Sequence, residues 1–180
     1  LLHASKSRPV AVELLNSSAW QAAGGEPSVT SGWIIAVGFE EKSATVAWQR
    51  QTLLDELRSA PVQNVTDAMD AAGLWSRLTG LQVRPESRYI WKASVLPSKL
   101  VEEVRRLAAA TTHAHALNGV IWIHREAPVD TAVIRRCPVE AKKSLSVWGK
   151  PTPAWELMRT VKQTLDPDDV FNPGRLFGDV

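Results

Sequence analysis

Ala114-His115-Ala116-Leu117-Asn118-Gly119-Val120-Ile121-Trp122-Ile123-His124 reads as two short strands, Ala114 to Leu117 and Gly119 to His124, closing on a turn at Asn118-Gly119. An Asn-Gly pair between apolar segments is a strong hairpin signal, because both residues accept the positive φ that a tight turn needs. A hairpin is antiparallel by construction, so the sheet it belongs to is at least partly antiparallel. Outward from it, Tyr89 to Leu96 is strand-like, and Pro97-Ser98 opens a helix with Leu100, Val101, Val104 and Leu107 at helical spacing. On the other side Val129 to Val139 is read as a helix and Lys142 to Val147 as a closing strand.

The N-terminal half repeats the pattern. Arg8 to Leu15 and Trp33 to Phe39 are strands, separated by a turn signal at Gly24-Gly25-Glu26-Pro27. Glu40 to Ser43 is a polar turn, with Ala44 to Trp48 returning as a second strand. Gln49 to Ser59, with Leu53, Leu54 and Leu57, is helical. So is Asp67 to Thr79, with Met69, Leu74 and Leu78, capped by Thr66 or Asp67. The sum is an α+β layer, a mainly antiparallel sheet with helices on one face. After Gly149 the character changes. Lys150-Pro151-Thr152-Pro153 breaks the chain, and Trp155 to Leu165 is a helix striped by Leu157, Met158, Val161 and Leu165. Asp166-Pro167 ends it, because a residue before proline avoids helical angles. The expected division is a domain over 1–149 and a docking helix and tail over 150–180.

Composition excludes several classes. The chain has 180 residues, 44% hydrophobic and 22% charged, as ordinary globular domains do. A net charge of +2 without a basic run gives no case for nucleic acid. No apolar run is long enough for a transmembrane segment. One cysteine, Cys137, cannot pair within the chain and fits a reducing compartment. Eight tryptophans against one tyrosine and three phenylalanines are expected mainly as core or interface anchors. The start, Leu1-Leu2-His3, reads as that of a fragment or processed product.

Little in the chain has the form of a self-contained active site. His113 and His115 share a strand face and could meet one ion, with His124 further on, but Glu126 is the carboxylate nearest to ligand spacing. They are read as polar residues on a solvated face, and no metal is expected. Cys137, beside Arg135 and Arg136, lacks a triad. Gly24-Gly25 stands alone, so there is no phosphate-cradling loop. Arg88 and Lys92, at a strand mouth, are candidates for pairing with a substrate carboxylate, against the simpler reading of surface charges.

The C-terminal string is more specific: Ser146-Val147-Trp148-Gly149, then Leu157-Met158-Arg159-Thr160-Val161-Lys162-Gln163-Thr164-Leu165-Asp166-Pro167, then Phe171-Asn172-Pro173-Gly174-Arg175. It resembles the C-terminus of FAD-linked oxidases of the vanillyl-alcohol oxidase and para-cresol methylhydroxylase superfamily. Within that superfamily it resembles the smaller FAD-binding subunit of bacterial glycolate oxidase. Tyr89 to Pro97, and Trp33 to Phe39 with Ala44 to Gln49, are similar to that subunit's cap.

The resemblance implies a ferredoxin-like cap domain and an oxidoreductase acting on a small 2-hydroxy acid. FAD would be held by an N-terminal domain absent from this chain. Asn172, Gly174 and Arg175 would lie against the cofactor-bearing domain. The partners implied are the FAD domain of the same polypeptide, a larger flavin subunit and an iron–sulfur subunit, in the cytoplasm or at the inner face of the membrane. Related 2-hydroxy-acid dehydrogenases bind a divalent metal through a His-x6-His pair and a Glu-His pair. This chain has neither, which leaves open a non-catalytic structural or binding subunit.

Overall fold

The chain turns back at Asn118-Gly119, but the loop is longer than expected, running from Ala116 to Gly119, and Asn118 does not take a positive φ. Gly119 adopts φ +75°, and the Asn118 side chain accepts a hydrogen bond from the Val120 amide at 3.1 Å. It joins β4 (Thr111–His115) to β5 (Val120–His124). In the computed structural model, which describes residues 4–26, 32–84 and 86–176, four further strands complete the sheet. They are β1 (Ala11–Asn16), β2 (Trp33–Gly38), β3 (Ile90–Ser94) and β6 (Val133–Arg136), in the order β2-β1-β4-β5-β3-β6. All neighbours are antiparallel. The helices are α1 (Ser17–Ala22), α2 (Ser43–Leu57), α3 (Ala71–Gly80), α4 (Leu100–Arg106) and α5 (Ala154–Leu165). The class is α+β. Pro27 and Phe177 lie outside the described residues.

Leu14 and Leu15 point to opposite faces of β1, and both are apolar, so each face needs a cover. Leu14 belongs with Ala114, Ile121, Ile123, Ala93 and Trp91 under Leu100, Val104 and Leu107 at α4. Leu15 belongs with Ile34 and Ala36 under Ala19 of α1 and Leu74, Trp75 and Leu78 of α3. The helices therefore flank both faces instead of one.

Four local expectations are corrected. Ala44 to Trp48 is the start of α2, where the Val46 amide bonds the Lys42 carbonyl at 3.0 Å. A short apolar alternation does not distinguish strand from helix, and Gln49 and Leu53, four apart and both buried, anchor the helical alternative. Val129 to Val139 is not a helix. Pro128 precedes it and Pro138 interrupts it near its end, and β6 pairs Ile134 with Trp91 at the core. Lys142 to Val147 is not a strand: its first two residues close a short 3-10 turn over Glu140–Lys143, although the Val147 carbonyl still accepts from the Ile134 amide at 2.8 Å. The cap of α3 is Asp70, accepting from the Gly73 amide at 2.8 Å. Asp67 instead pairs with Arg50, and Met69 is exposed.

After Gly149, α5 forms with no buried residue, leaving Leu157, Met158, Val161 and Leu165 exposed. No described helix is long and apolar enough to cross a membrane.

Candidate functional site

Glu13 interrupts the apolar run of β1 and shares its face with Leu15. The β1–β4 register sets Glu13 opposite His115 and Leu15 opposite His113, so both imidazoles flank the carboxylate. His113 Nε2 lies 2.8 Å from Glu13 Oε2, and His115 Nδ1 lies 2.8 Å from Glu13 Oε1. Glu13 is 7% exposed and His113 1%, so this is interior chemistry and not a solvated strand face. Burial pushes the Glu13 carboxyl upward, but hydrogen bonds from His113 and His115 together outweigh it and hold the group below its ordinary range.

The far side of His115 is fixed by β5. Trp122 Nε1–H donates to His115 Nε2 at 3.2 Å. An indole nitrogen only donates, so His115 Nε2 is the acceptor and its Nδ1 carries the proton given to Glu13. Gln82, in the 3-10 turn after α3, brings its amide nitrogen to 3.1 Å from the same Nε2. Lys92 on β3 stands opposite Trp122, its ammonium 5.9 Å from the indole centroid. His124 completes the row. Its Nδ1 meets Ser87 Oγ at 2.8 Å, and burial, with smaller contributions from Arg84 and His113, pushes its pKa down to about 4. The buried His113 Nδ1 and His124 Nε2 have no hydrogen-bond partner among the described residues.

Glu13, His113 and His115 bring one donor atom each within 4.8 Å of one another. Two imidazoles and a carboxylate are a suitable ligand set for a divalent first-row metal, but their protons oppose it. Placing an ion among these atoms would move the His115 proton onto Nε2, against the Trp122 donor. It would also move the His113 proton onto Nδ1, which is buried without an acceptor. The donor set does not fit the metal that the resemblance implies.

The other expected residues are dispersed. Arg88 precedes β3 and pairs with Glu126 at 3.8 Å, apart from the Glu13 cluster. Cys137 is half-buried against the α4 core. Asn172, with φ +52°, Gly174, with φ +67°, and Arg175 lie in the tail. The tail is better organised than a loose end. Asp166 Oδ1 accepts from the Val170 amide at 2.8 Å and Oδ2 from the Phe171 amide at 2.9 Å. Lys162 pairs with Asp166 and Asp169 and donates to the Phe171 carbonyl. Lys162 is the main cause that holds the Asp166 carboxyl below its usual range. Trp148 Nε1 donates to the Arg175 carbonyl at 2.9 Å, joining tail to body. The side chains of Asn172 and Arg175 have no hydrogen-bond partner among the described residues.

This C-terminal geometry coincides with a family signal. Residues 142–176 match the family described as FAD linked oxidases, C-terminal domain. Comparison with curated proteins and with solved structures finds no match.

Sequence reading missed Glu13, Gln82 and Trp122. Only Glu13 left a trace, a carboxylate set within Val10-Ala11-Val12 and Leu14-Leu15.

Proposed function

We propose that this chain is the C-terminal, substrate-side part of a flavin-dependent oxidoreductase acting on a small 2-hydroxy acid such as glycolate. Residues 1–149 form the cap, and 150–180 dock on the FAD domain of the same polypeptide. The observation that carries the reading is the family match over 142–176, which spans α5 and the ordered turn at Asp166. The apolar stripe of α5 has no cover among the described residues, as a docking helix requires. FAD would supply the redox chemistry from its own domain. Asn172, Gly174 and Arg175 would lie against that domain. No atom of the described residues lies within 4 Å of the position a Gly174 Cβ would take, which leaves room for a docked surface to approach the backbone there. Lys92, with Arg88 further along, would meet the substrate carboxylate.

A larger flavin subunit and an iron–sulfur subunit complete the proposed cytoplasmic complex. The second reading, a non-catalytic structural or binding subunit, is favoured by the Arg88–Glu126 pair and by the poor metal fit.

The test joins the chain to its FAD domain. The 180-residue chain alone is expected to be colourless. The joined polypeptide should be yellow and reduce a dye with glycolate. Asn172→Ala and Gly174→Val should lower flavin content or turnover with the cap still folded. Bound flavin in the isolated chain, or full flavin and activity in both variants, would refute the docking assignment. A yellow polypeptide inert towards 2-hydroxy acids would support the non-catalytic subunit.

A further inference from the structure

In the β4–β5 hairpin Trp122 stands opposite His113, and its indole reaches diagonally along the same face to His115, the indole nitrogen 3.2 Å from His115 Nε2. On the opposite side of the ring, Glu13 accepts the Nδ1 proton. A carboxylate holding one imidazole nitrogen so that the other presents a lone pair is the arrangement by which metal-binding histidines are oriented. In this chain an indole donor stands where that arrangement would present its lone pair to an ion.

We infer that the Trp122 indole fills the metal position of a preformed His115 framework, so that this face is closed to divalent ions as it stands and is opened by Trp122→His. Glu13 is then the orienting carboxylate behind His115 and not a ligand. Its second oxygen is engaged by His113, which removes both from competition for an ion. A histidine at 122 keeps its place on β5, replaces a donor by a ligand and forms a His-x6-His pair with His115. Gln82, whose amide already reaches His115 Nε2, can turn its oxygen toward an ion as a third ligand. The inference does not depend on the flavin reading, because it concerns only residues of this chain.

The experiment titrates zinc and manganese chlorides into the chain and into Trp122→His, with calorimetry and elemental analysis after dialysis. The wild type should retain less than about one-tenth equivalent. Trp122→His should retain one equivalent and bind at least about a hundredfold more tightly. Adding Glu13→Gln to that variant should weaken binding by about tenfold or more, as loss of an orienting carboxylate does. A folded Trp122→His that takes up no metal overturns the inference. So does a wild type that holds a full equivalent lost on His115→Ala. Should Trp122→His fail to fold, the wild type decides alone. Ring-nitrogen NMR should show His115 protonated at Nδ1, and a proton at Nε2 refutes the geometry.

Discussion

Asn16→Ala tests how the sheet and both helical layers are tied together. The Asn16 side chain, 7% exposed, sits at the end of β1. Its Oδ1 accepts from the Ala19 amide at 3.0 Å, capping α1, and from the Thr112 amide at 3.2 Å, extending the β1–β4 pairing. Its Nδ2 donates to the Ala110 carbonyl at 2.5 Å and the Ala108 carbonyl at 3.2 Å, after α4. Alanine leaves two interior N–H groups without acceptors. At about 1–2 kcal/mol each, with a further contribution from the bared carbonyls, the loss is about 3–4 kcal/mol. The Ala110 carbonyl keeps the Thr112 hydroxyl at 3.2 Å, which caps the damage there. A domain of this size loses about 2–4 °C in Tm per kcal/mol, so the midpoint should fall by about 10 °C. Thermal unfolding followed by circular dichroism measures the midpoint, and urea unfolding the free-energy loss. Asn16→Ser, which can still cap α1 but falls short of Thr112, should lose about half as much. A loss below about 1 kcal/mol for alanine, or equal losses for alanine and serine, would refute this account of the junction.

Two further outcomes are expected. Gly119→Val combines a left-handed backbone with a Cβ that would lie 1.9 Å from the Val95 carbonyl oxygen. It should cost about 3 kcal/mol or more by urea unfolding, and a Tm within about 2 °C of wild type would refute it. Stability should also fall with acid through His124. Its folded pKa, about 4, lies below the unfolded value of 6.5, so its contribution is complete above pH 6.5 and is lost as pH falls toward 4. Discounted for partial exposure, that is about 2 kcal/mol, and His124→Gln should flatten this part of the pH–stability curve. An unchanged slope refutes it.

Local chemistry made part of the fold legible. The β4–β5 hairpin, α5 and its end at Asp166 each rest on a few adjacent residues, Asn118-Gly119 or Asp166-Pro167, whose backbone preferences act regardless of context. Segments whose state depends on distant partners differ between sequence expectation and structure. β6 is a strand because Ile134 meets Trp91 in the core, and nothing within Val129 to Val139 announces that partner. The site is the extreme case. Glu13 and its imidazoles are 100 and 102 residues apart, so only the strand order β1-β4 unites them. The shared strand face of His113 and His115 is legible in the sequence, but its cover by α3 and the turn bearing Gln82 is not, so the sequence alone leaves that face solvated.

That cover has an electrostatic consequence. With its carboxyl held below the ordinary range, Glu13 keeps a buried negative charge at neutral pH. A buried carboxylate persists only when donors surround it. Here an imidazole N–H reaches each oxygen, and Trp122 enforces the arrangement by occupying the nitrogen from which His115 would otherwise donate elsewhere. A divalent ion would have neutralised the same charge more strongly, but it would have to displace both protons and the indole. The Glu13 charge also makes His115 a poor point of contact for an acid substrate, since an approaching carboxylate would face a like charge one ring away. Lys92 stands beyond Trp122 on the same face, with the indole ring between it and the Glu13 pair. In the proposed oxidoreductase that separation would leave carboxylate recognition to Lys92. It leaves Glu13, His113 and His115 to hold the sheet surface beneath it in one arrangement.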